Sequence, residues 1–126
     1  MPALEPLHGL RVVADPAALD VALWRGEGVT VLRFAPDDAM GLGATAVDVA
    51  DEHAIVESEV GFAGAWLPLD DVLAHLEWPL PTERPALAQG SIAGVPAKVW
   101  LPDGGDGTVL VISAAAYADE LAGRLR

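Results

Sequence analysis

The stretch LAQGSIAGVPAKVWL (87–101), followed after a glycine-rich turn by TVLVI (108–112), decides the fold class. Val95, Ala97, Val99 and Leu101 alternate with Lys98 and Trp100, the period of two that sends successive side chains to opposite faces of a strand. Gly94 and the run Asp103-Gly104-Gly105-Asp106-Gly107 supply turn residues, so the apolar segments read as a β-meander. A helix over Ser113–Arg126 closes it. Ser113 is its expected N-cap, Tyr117, Leu121 and Leu125 its buried stripe, and Glu120 with Arg124 an i, i+4 surface pair.

Working outward toward the N-terminus, Gly9–Ala14 reads as a short strand. Asp15 as N-cap, Pro16 at the first helical position and Gly26 as terminator then delimit a helix with Leu19, Ala22 and Leu23 inward. Val29–Ala35 is rich in β-branched and aromatic residues and reads as a strand ended by a turn at Pro36-Asp37-Asp38. Ala44–His53 fits helix or strand, and Ala54–Val60 and Phe62–Leu67 look extended around Gly61, so strands are favoured there. A second helix is expected from Pro68–Asp70 to Trp78, with Leu69, Val72, Leu73 and Leu76 on one face and Pro79 as its stop. Pro79, Pro81 and Pro85 then stiffen a crossover. Hairpins interleaved with about three helices define the expectation: an α+β fold, a mostly antiparallel sheet with helices on one face, in a single compact domain over 1–126.

The composition narrows the function. Nineteen acidic residues against seven basic ones give a net charge of −12, which repels phosphate backbones and anionic lipid and excludes nucleic acid as an expected partner. Without cysteine there is no thiol catalysis, disulfide framework or Cys-based metal site. The segment Met1–Leu10 lacks the cation and apolar run of a secretory signal, and Val109–Ala118 is too short to span a bilayer, so a cytoplasmic protein without a membrane span is expected. With 52% hydrophobic residues and a mean hydropathy of +0.36, spare apolar surface points to a homo-oligomer or a partner subunit.

Candidate chemistry is sparse. The run Gly41-Leu42-Gly43-Ala44-Thr45-Ala46 satisfies the dinucleotide-binding spacing, but no strand leads directly into it, and it reads as a glycine turn. His53 and Glu57, joined by Glu59 if the segment is a strand, form the one cluster suited to a divalent metal; the competing reading is a solvated face of an acidic protein. Asp71 and His75 suit the ends of the second helix without any chemistry. Ser58, Ser91 and Ser113 lack a nucleophile elbow. Of four tryptophans, Trp66, Trp78 and Trp100 are the candidates for an interface, since they lie beside prolines or opposite the core face of a strand. No cofactor and no catalytic residue is expected.

The segments Leu32-Arg33-Phe34-Ala35-Pro36-Asp37-Asp38, Val47-Asp48-Val49-Ala50-Asp51-Glu52 with Ala54-Ile55-Val56, Leu87-Ala88-Gln89-Gly90 with Ala93-Gly94-Val95, and Val109–Ser113 carry a resemblance. Together they resemble the gamma subunit of heterotetrameric sarcosine oxidase and, more distantly, the aminomethyltransferase domain of the glycine cleavage system. The resemblance implies an α+β accessory subunit of an oxidoreductase complex whose flavin, nicotinamide and folate chemistry sits on other chains. It carries over no site residue. The leading expectation is thus a non-catalytic domain acting by self-association or as an accessory subunit. The alternatives are a ligand- or metal-binding module at His53, Glu57 and Glu59, and a cofactor-independent enzyme with a carboxylate base.

Overall fold

A computed structural model describes residues 3–125. The chain is a seven-stranded antiparallel sheet with three short helices, an α+β fold in which the sheet dominates. Its elements are β1 (Glu5–Val13), α1 (Pro16–Asp20), β2 (Leu23–Ala35), β3 (Asp38–Asp48), β4 (Ile55–Pro68), α2 (Leu69–Leu73), β5 (Ala86–Ile92), β6 (Val95–Leu101), β7 (Thr108–Ala114) and α3 (Ala118–Arg124), the last preceded by a 3₁₀ turn at Ala115–Tyr117. The strands are hydrogen-bonded in the order β2-β3-β1-β4-β7-β6-β5. Two compact units divide the chain: Leu7–Val60, and Gly61–Arg126 together with Met1–Pro6. No described helix is long and apolar enough to cross a membrane.

In the first unit, β2 and β3 form a hairpin whose last pair, Ala35 with Asp38, leaves Pro36-Asp37 as a two-residue turn. Val12, Ala14, Leu19 and Ala39 make its core, flanked by Trp24, Val47, Val49 and Ala54. The first helix stops at Asp20, six residues before the expected terminator. Leu23 and Trp24 instead pair with Asp48 and Val47, so strand pairing overrides the local helix signal. Gly26 is a bulge in β2 with φ +153°, not a helix stop. Gly41-Leu42-Gly43 lies inside β3 rather than in a turn, and the Trp24 indole lies over Gly41, where a Cβ would meet Cε3 at 2.3 Å.

Asp15 occupies the cap position of α1, but its side chain makes no capping bond. Asp51 ties the chain there instead: its carboxylate accepts from Asp15 N at 2.8 Å and His53 N at 2.9 Å. Those two N–H donors, Asp15 first, hold the Asp51 carboxyl below its ordinary range. A depressed folded-state value means that the contribution is present above the ordinary carboxylate range and is lost as pH falls through the lower, folded value. We expect the Asp15 and His53 amide resonances to shift together with a midpoint below the usual aspartate range, and Asp51→Asn to abolish that shared titration.

In the second unit, register places Ala65, Val111, Val99 and Ala88 in one row across β4, β7, β6 and β5. This face forms the larger core, onto which Val72 of α2 and Leu121 and Leu125 pack. The alternation of Val95, Ala97, Val99 and Leu101 inward is borne out. The closing helix is shorter than expected. Ser113 is in β7, opposite Ala63, is buried and donates its hydroxyl to Ala114 O, so it does not cap a helix. The β-branched run before it keeps the backbone in the ladder between β4 and β6. Tyr117 is 45% exposed rather than part of the buried stripe, whereas Leu121 and Leu125 are buried as expected and Glu120 accepts from Arg124 at 2.5 Å. The second helix likewise ends at Leu73, which is exposed.

Ala93 and Gly94 join β5 to β6 with φ of 49° and 81°, the two left-handed residues of a type I′ turn. Arg124 Nη1 donates to Ala93 O at 2.8 Å, and Ala93 N donates to His75 O at 3.2 Å, which holds the alanine in this conformation. Left-handed backbone costs a non-glycine residue about 1 kcal/mol, less for asparagine. Ala93→Asn should therefore raise stability by about 1 kcal/mol in urea titration; an unchanged or lower midpoint would contradict a strained turn.

Candidate functional site

The His53, Glu57 and Glu59 cluster is dispersed in its roles. His53 sits in the turn before β4 with Nε2 3.4 Å from the Glu52 carboxylate, both side chains being largely in solvent. Glu57 is exposed on β4, while Glu59 Oε1 accepts from Arg11 Nη1 at 2.8 Å. Among the described residues, no three His, Asp or Glu side chains are grouped to hold a metal ion.

Arg11 is the polar hub of the first unit. Its Nε and Nη2 donate to the two oxygens of Asp38 at 2.6 and 2.7 Å, the bidentate fork that guanidinium geometry suits, and its guanidinium carbon lies 4.7 Å from the centre of the Phe34 ring. The Asp38 bond, with Glu59 adding to it and burial opposing, raises the Arg11 pKa further above its ordinary value. With both carboxylates engaged, this network is suited to holding strands in register rather than to moving protons.

The three candidate tryptophans separate. Trp66, Leu110, Trp100 and Leu87 form one row across the second unit's strands, on the face opposite the helix-covered core. Trp66 is 51% exposed and Trp100 is half-buried. Trp78 is structural: Nε1 donates to Ser91 O at 2.8 Å and its ring covers Gly90, where a Cβ would lie 2.8 Å from the indole. Asp71 and His75 line a groove of about 340 Å³ with Trp66 and Leu125, but no described hydrogen bond orients His75 against Asp71, as a catalytic base would need.

Two features carry more. At the open end of the β2–β3 hairpin, Val21 and Leu23 are 70% and 62% exposed and line an aliphatic groove of about 470 Å³ with Val47 and Val49. Beside it Arg25 Nη2 and Asp48 Oδ2 form an ion pair at 2.5 Å, both side chains mostly in solvent. In the second unit, Lys98 lines a cavity of about 220 Å³ with Phe62, Gln89, Ile112, Ser113 and Tyr117 among its walls, and its Nζ donates to Gln89 Oε1 at 2.7 Å. The helix start at Asp15-Pro16 places Leu23 on the inner side of a helix when read from sequence, and only its pairing with Asp48 opens the aliphatic groove. The position of Lys98 opposite the core face was legible from the alternation in β6. No protein family, curated protein or solved structure matches the chain.

Proposed function

We propose that this protein is a non-catalytic α+β module that acts by association, and that its first partner is a second copy of itself. The observation that carries the reading is the aliphatic groove: Val21 and Leu23 are more than 60% exposed beside Val47 and Val49. The rim supports a two-fold arrangement. Arg25 and Asp48 are adjacent and opposite in charge, so a rotated copy can set each Arg25 against the partner's Asp48 while the aliphatic residues close on one another. That complementarity matters for a chain of net charge −12, which otherwise repels its copy.

Sedimentation velocity on the full chain tests this. A dimer is expected at about 100 μM, and Leu23→Glu should weaken it about a hundredfold. Arg25→Asp and Asp48→Arg should each give monomers, and mixing these two variants should restore a dimer, because both cross-pairs are then complementary. Native mass spectrometry from the source cells adds the remaining arm. A constant stoichiometric partner chain would support the accessory-subunit role that the sarcosine oxidase gamma resemblance implies, and a strict monomer without any co-purifying chain overturns the association reading.

A further inference from the structure

We infer that the Lys98 cavity is a binding site for a small monocarboxylate carrying an apolar body. Lys98 is the single lysine of a chain with nineteen acidic residues, and the residues lining the cavity include no carboxylate. Its compact ammonium, held at Gln89, supplies the counter-charge that a carboxylate seeks. Phe62, Ile112, Ala114 and Tyr117 supply apolar wall. A lining of one cation and mostly apolar groups disfavours a cationic or neutral polar ligand. The −12 charge disfavours a multiply charged anion. At about 220 Å³ the space lies below that of sites for drug-sized molecules and fits an acid the size of phenylacetate.

The test is an amide-resolved NMR titration of the full chain with sodium phenylacetate, with phenylacetamide as the neutral isostere. Saturable shifts are expected at Gly90, Ala97, Lys98, Ile112 and Ser113, with the amide binding at least about tenfold more weakly. Lys98→Met should weaken phenylacetate about tenfold or more. Ala114→Leu, which fills the cavity and leaves the charge, should abolish binding in a chain whose spectrum is otherwise folded. Absence of saturable shifts up to about 10 mM, or equal affinity for acid and amide, overturns the proposal. Sedimentation of the same samples reads association separately, so loss of the dimer and loss of the ligand site are distinguished.

Discussion

Gly9→Ala is expected to lower stability by about 3 kcal/mol, an extreme response to a single added methyl group. Gly9 lies in β1 opposite Leu42 of β3, and a Cβ built on it falls 2.1 Å from Gly41 O, 2.9 Å from Gly41 C and 3.2 Å from Leu42 Cα. All three obstacles are backbone. A side chain could rotate away; a carbonyl in a ladder can retreat only if β1 and β3 separate, which strains the neighbouring pairs Leu10 with Gly41 and Arg11 with Met40. For a domain of this size the change corresponds to a fall in melting temperature of roughly 10 °C. Gly123→Ala is the natural control, because nothing lies within 4 Å of its added Cβ and it occupies α3, where alanine is the better helix former. It should be neutral or stabilising by up to about 1 kcal/mol. Urea unfolding of the two variants reads both effects, and a Gly9→Ala loss below about 1 kcal/mol would mean that β1 and β3 do not approach as closely as described.

The meander was legible because its signals are local. Alternation in 95–101 fixes which side chains face inward, and Gly94 with Ala93 supplies the turn between β5 and β6. The helices are shorter than their local signals for the complementary reason. Asp15-Pro16 is a sound helix start, and nothing within the next few residues announces that Trp24 will pair with Val47. Ser113 before an alanine run has the look of a cap, but its backbone partner is Ala63, and a cap signal carries no information about a strand fifty residues upstream. Site residues follow the same rule. The place of Lys98 opposite the core could be read from β6 alone, whereas the partners of Glu59 could not, because Arg11 is 48 residues away and a carboxylate serves a metal or a guanidinium equally well until topology chooses.

That guanidinium network leads to the second large effect: Arg11→Met is expected to cost about 3 kcal/mol. Arg11 on β1 joins Asp38 of β3, Glu59 of β4 and the Phe34 ring of β2, so one side chain gathers four strands of the first unit. Asp38 and Glu59 each retain only 22% side-chain exposure. Removing the cation takes the guanidinium from two mostly buried carboxylates at once, and the penalty is chiefly the loss of that charged donor to each of them; the remaining solvent access sets it at the lower end of the range for buried pairs. Arg11→Lys keeps the charge but cannot form the fork to Asp38 while also reaching Glu59, so about half the loss should persist. Combining Arg11→Met with Asp38→Asn removes one of the two carboxylate charges that Arg11 serves, and the double variant should be more stable than the sum of the single changes by about 1 kcal/mol or more. Strict additivity in urea unfolding would show that Arg11 acts through packing on Phe34 alone. A positive coupling that shrinks in high salt would assign the effect to the ion pair, because screening reaches partly exposed charges and leaves ring contacts unchanged.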